Sequence, residues 1–147
     1  MLKASERVNN SEVEVDDSVT LDFDTRKKVR IKSRTDNGYD LGIFLQRGHP
    51  LFIGDILKTD CGLHIEVKGL PEEVSTAYAT DWDTFSKICY HLGNRHTTLQ
   101  IGLLWVRYKP DHVLDELCEK FGLSINHTLA IFAPETGAYH THAHSHN

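Results

Sequence analysis

Four histidines, His140, His142, His144 and His146, stand at every second position of the closing stretch GAYHTHAHSHN. Neutral imidazole nitrogen ligates nickel, copper and zinc alike. In extended chain, residues two apart lie ~6.6 to 6.8 Å apart on one side, so two or three rings can fold around one ion. Four of the ten histidines fall within seven residues. An appended tag would be an unbroken run, and a solvated polar end would scatter its histidines; metal capture is the reading that uses the rhythm. Protonating the four would move the formal charge from −5 to −1, so the segment is pH-sensitive between about pH 5 and 8.

Two further imidazoles stand near element ends. His96, in YHLGNRHTTLQIG, follows a helix and precedes a strand. By residue type it is either an exposed loop histidine or, in a twofold dimer with the loop on the axis, one of a pair of ligands. About nine residues of chain from Gly137 reach ~15 to 18 Å, enough for tail rings to complete such a sphere. His112 falls at the first position of a helix, where the dipole favours the neutral, ligating ring; the other reading is an exposed residue interacting with Asp115 or Glu116. His49, His64, His91 and His127 have no evident partner and read as structural.

Other chemistries lack their residues. There is no HExxH, P-loop, GxSxG or EF-hand pattern, and a zinc hydrolase built on His96 and His112 would want carboxylates that the sequence does not cluster there. Cys61, Cys89 and Cys118 are odd in number and far apart, so they read as buried free thiols. The charge of −5 argues against nucleic acid as a partner. The basic run Arg26, Lys27, Lys28, Arg30, Lys32 and Arg34 reads as the wet face of a strand, or a dock for an acidic surface. No apolar stretch is long enough for a membrane span or a secretory leader, which predicts a cytoplasmic protein.

The elements that must position these groups follow from periodicity. With 147 residues, 39% of them hydrophobic, the chain can bury a core. VTLDF and KVRIKSR alternate as half-buried strands. Asn37-Gly38 offers two positive-φ residues for a hairpin leading to YDLGIFL, and Cys61-Gly62 turns into LHIEV. Gly69 and Pro71 mark a boundary near Leu70. Beyond it come a strand at VSTAYAT and a helix capped by Asp81, carrying Phe85, Ile88 and Leu92, with Gly93 at the left-handed C′ position. TLQIGLLWVRYK reads as one strand or two, Gly102 being the point where a break would fall. A helix from Asp111 to Gly122 and the strand SINHTLAIF complete the series. The prediction is an α+β protein: a small all-β domain (1–70), a ferredoxin-like βαββαβ domain (71–136) and a flexible histidine-rich tail (137–147).

YHLGNRHTTLQI, DHVLDELCEKFGL, FAPETGAY, IFLQRG, GDIL and the histidine-rich end fall in one order, and in them the chain resembles the UreE family of urease accessory metallochaperones. Thr97-Thr98 stand where that family more usually has a hydrophobic residue and proline. The resemblance implies a non-enzymatic nickel chaperone with Ni(II) as cargo, Zn(II) or Cu(II) being able to enter the same sites, and a β-rich N-terminal domain that binds peptides or partners. It implies a homodimer with His96 at the interface as the principal nickel ligand, and delivery to the urease accessory GTPase and the urease apoprotein assembly complex. His112 matches a secondary metal-binding histidine of some members, although Pro110 replaces the histidine those members carry two positions before it. A general store or buffer of divalent metal is the alternative expectation.

Overall fold

The computed structural model describes residues 1–9, 12–46 and 50–135. It is a mixed α+β structure that divides into two compact units, Met1–Leu70 and Pro71–Asn147.

The first unit contains β1 (Leu2–Val8), β2 (Asp17–Leu21), α1 (Phe23–Arg26), β3 (Arg30–Arg34), β4 (Asp40–Phe44), β5 (Ile56–Thr59) and β6 (His64–Gly69). Its sheet order is β2-β6-β5-β1-β4-β3, with β1 parallel to β4 and β2 parallel to β6. Period-two alternation puts Val19 and Leu21, Leu41 and Ile43, and Ile65 and Val67 on the buried side with Ala4, Ile31, Leu51 and Leu57, the expected outcome for strands with one face on a core.

Four expectations are corrected, three of them within this unit and the last, on the cysteines, across both. VTLDF does not stay extended through Phe23: the Asp22 carboxylate accepts from the Thr25 N–H at 2.8 Å and caps a short helix beginning at Phe23. The hairpin has one positive-φ residue, Gly38 at +97°, because Thr35 O accepts from Gly38 N–H and Thr35 N–H returns to Tyr39 O. That is a longer loop closed by one left-handed glycine instead of a two-residue turn. The basic run is not one wet strand: Arg26 is 2% exposed within α1, and only Arg30, Lys32 and Arg34 lie on β3. Cys61 is exposed and Cys89 half-buried, leaving Cys118 as the buried thiol.

The second unit runs β7 (Pro71–Tyr78), α2 (Trp82–Asn94), β8 (Gln100–Ile101), β9 (Trp105–Tyr108), α3 (His112–Lys120) and β10 (Ser124–Ile131). Its antiparallel sheet has the order β10-β7-β9-β8. Ala77, Val106 and Tyr108 face a core completed by Phe85, Ile88 and Leu92 of α2 and Leu114 and Cys118 of α3. Asp81 caps α2, and the Thr84 N–H and hydroxyl hold its carboxyl below the ordinary range. Asp111 caps α3 through the N–H groups of Val113 and Leu114. Gly122, at φ +86°, ends α3 with its N–H on Glu119 O and that of Leu123 on Cys118 O, a Schellman motif.

Gly102 is required by close approach. A Cβ there would lie 2.0 Å from the Trp105 indole, so that ring covers the glycine. The Arg107 guanidinium in turn stacks on the indole at 4.8 Å.

Candidate metal site

Helix α2 does not end at Gly93. The helix continues to Asn94, Arg95 N–H bonds Leu92 O, and His96 N–H bonds Gly93 O at 3.0 Å. The left-handed residue is His96 itself, at φ +55°. Non-glycine residues at positive φ are uncommon, and a left-handed L-residue costs roughly 1–2 kcal/mol. Leu92 before it and Leu99 after it are buried in the core, while residues 93–96 between them form an exposed arch that carries His96.

His112 is also exposed and opens α3. The Asp115 carboxylate expected to serve it is engaged elsewhere: one oxygen accepts from the Tyr108 hydroxyl at 2.7 Å, and the other lies 3.4 Å from His127 Nε2. His127 Nδ1 is 2.9 Å from Ser75 Oγ. Serine, histidine and aspartate thus stand in sequence, the first two hydrogen-bonded and the last two in ion-pair range, but Ser75 is 0% exposed, so its hydroxyl is out of reach of any acyl or phosphoryl group. The set is a structural polar link between β7, β9, β10 and α3. Nor is His64 isolated, its Nδ1 lying 3.9 Å from Asp16. His91 packs on Tyr90 and Phe121, and His49 lies outside the described residues.

Burial raises the thiol pKa of both Cys118 and Cys89, which disfavours the reactive thiolate form. Burial, reinforced by the bond to Asp115, also holds the Tyr108 hydroxyl above its usual range. The native state therefore keeps a proton that the unfolded chain sheds above about pH 10. Stability from this group is complete below that pH and falls by up to about 1.4 kcal/mol per pH unit above it. Tyr108→Phe is expected to cost about 1 kcal/mol at pH 8 and to make the alkaline loss shallower, as read by urea unfolding at pH 8 and pH 11. An unchanged alkaline slope would refute the assignment.

Among the described residues no three His, Cys, Asp or Glu side chains are gathered as a metal cage, and the structure does not bring His96 and His112 together in one cluster. His140, His142, His144 and His146 lie outside the described residues. The two predicted ligands among the described residues, His96 and His112, are therefore both exposed, one on a left-handed arch and one at a helix start. The chain is a mixed α+β protein of two compact units.

Comparison with known proteins identifies the frame. The family model described as UreE urease accessory protein, N-terminal domain, matches residues 3–69, and that for the C-terminal domain of the same family matches residues 72–147. A urease accessory protein UreE of Psychromonas ingrahamii is 63% identical over 151 aligned residues, covering 100% of this chain and 99% of its own. That of Alteromonas mediterranea is 64% identical over 146 residues, covering 99% and 95%. The Marinomonas protein of the same name is 48% identical over 130, covering 88% of each. The chain belongs to the UreE urease accessory protein family.

Proposed function

We propose that this chain is a nickel metallochaperone of urease maturation, carrying Ni(II) as cargo to the urease apoprotein assembly complex and its accessory GTPase in the cytoplasm. The observation that carries the reading is the match of both family models over residues 3–69 and 72–147. A buffer unconnected with urease is not favoured, since the matching descriptions all speak of a urease accessory protein.

In this reading residues 71–136 form a ferredoxin-like metal-binding and dimerisation domain, residues 1–70 engage partners, and residues 137–147 are the metal-gathering tail. One imidazole binds a divalent ion weakly, so two copies of the chain meet with their His96 rings facing one ion. His140, His142, His144 and His146 collect nickel and supply further nitrogens, and His112 is a peripheral ligand. Zn(II) and Cu(II) are competent at the same nitrogens. The protein does no covalent chemistry on the ion; it exchanges ligands. The role is tested by loading the purified chain with nickel and adding the urease apoprotein complex with its GTPase. Nickel should move to urease and activity should appear. Nickel retained by the chain would return the reading to a store, and a monomer in nickel, measured by sedimentation, would remove the paired-ring site.

A further inference from the structure

Three strands of the first unit build one basic face. Lys32 of the edge strand β3 pairs with Gly42 of β4, and Gly42 pairs with Lys3 of β1. Their neighbours Ile31, Ile43 and Ala4 form the alternate row and are buried in the core, so alternation turns Lys32 and Lys3 to the outer face. Arg30 joins them there beside Phe44, and Arg34 beside Asp40. Lys3, Arg30, Lys32 and Arg34 are all exposed.

Gly42 shapes what lies between the two lysines. A Cβ there would meet the Phe44 ring at 2.8 Å and the Met1 Cε methyl at 3.3 Å, so the space of a side chain is filled from the flanks. Phe44 is 38% exposed and Met1 65%. The row is thus an apolar centre with a lysine on either side, their Cα atoms two strand spacings or roughly 10 Å apart. Asp40 is held by Arg34 Nε at 3.2 Å. Among the described residues no carboxylate stands in ion-pair range of Lys3, Arg30 or Lys32. Three uncompensated cations gather here on a chain whose formal charge is −5.

An apolar centre inside a charged rim is the make-up of a protein interface, and charge selects the occupant. A second copy would set the cations of one edge strand against the same cations. Nucleic acid wants a longer basic track than these few side chains on an acidic chain. We propose that this face docks an acidic segment of a partner protein: an extended stretch with two carboxylates four residues apart and an aliphatic side chain midway between them. The carboxylates meet Lys3 and Lys32, and the aliphatic group packs on Phe44 and Met1. Residues four apart in such a stretch lie about 13 Å from each other, a span that two flexible lysine stems accommodate. The proposal gives residues 1–70, read above as engaging partners, a particular face and charge.

The test is an NMR titration of the metal-free, full-length chain at low salt with the capped peptide Glu-Ser-Leu-Ser-Glu. Amide shifts should cluster at residues 1–3, 30–34 and 40–44. Lys3→Gln/Lys32→Gln should weaken binding about two- to thirtyfold, the range for two exposed ion pairs. Lys3→Arg/Lys32→Arg, which keeps both charges, should bind as the parent does. So should Lys68→Gln/Lys120→Gln, which removes the same charge elsewhere. Replacing the peptide's leucine by serine should cost at least about threefold. Equal weakening by the two glutamine pairs would reduce the effect to net charge and overturn the proposal, as would scattered shifts, no shifts, or a serine peptide that binds as well. A thymidine oligonucleotide of equal charge that binds more tightly at the same residues would overturn it in favour of nucleic acid. Because no metal is present, each outcome leaves the nickel reading to its own test.

Discussion

His96→Gly should bind nickel far more weakly than the natural chain while folding at least as stably. Loss of a mere outer-shell partner typically costs 10- to 100-fold in metal affinity, so loss of a ring from each of two copies should cost no less. The backbone argues the other way for stability. His96 sits at φ +55°, a conformation glycine adopts without a Cβ penalty. Relief of that strain, set against the greater freedom of unfolded glycine, leaves a net between zero and about +1 kcal/mol. His96→Ala keeps the Cβ and should show the affinity loss without the gain. Calorimetric nickel titration and thermal melts of the metal-free proteins decide it, and full affinity in His96→Gly would end the role assigned to the arch. A position that trades fold stability for the identity of one side chain is what a selected ligand looks like.

Acid should unload the protein. Imidazole ligates only when neutral and titrates near about pH 6.5. Below that, each ring that must shed its proton costs close to a factor of ten per pH unit, and two rings cost a factor of a hundred. Between pH 7.5 and pH 5 the apparent affinity of a two-ring site should drop on the order of 1,000-fold. The sign is opposite to that of Tyr108, whose contribution is lost in alkali. Equal affinity at the two pH values would contradict imidazole ligation; a drop near thirtyfold would indicate a single ring.

What the residues disclosed in advance was the local part of the structure. Asp81, Asp111 and Gly122 mark helix ends because caps and left-handed stops are settled within a few residues. Strand β1 escaped notice because LKASERV has little apolar alternation: only Ala4 of its seven residues is buried, and its pairing comes from residues 41–43 and 56–59. Gly93 suits a left-handed stop by residue type, yet α2 runs past it to Asn94 and the left-handed residue is His96. Helical spacing offers Asp115 or Glu116 to His112, and the fold gives the Asp115 carboxylate to Tyr108 and His127, neighbours that spacing on one helix does not reveal. Gln100 accepts from Ala133 N–H and Arg107 donates to Ile131 O, and no sequence signal tells a polar strand residue so engaged from one that meets water.

The position of β1 between β5 and β4 governs the order in which the first unit can assemble. β1, the earliest strand of this unit, needs the strand ending at Phe44 for one border and the strand ending at Thr59 for the other, while β2 must wait for β6, which ends at Gly69. Almost the whole unit must therefore clear the ribosome before its sheet can close, and such distant pairings make for slow folding. The second unit begins just as the first becomes able to finish, so a nascent chain stalled before residue 69 would display an unfinished sheet to whatever holdase is nearby.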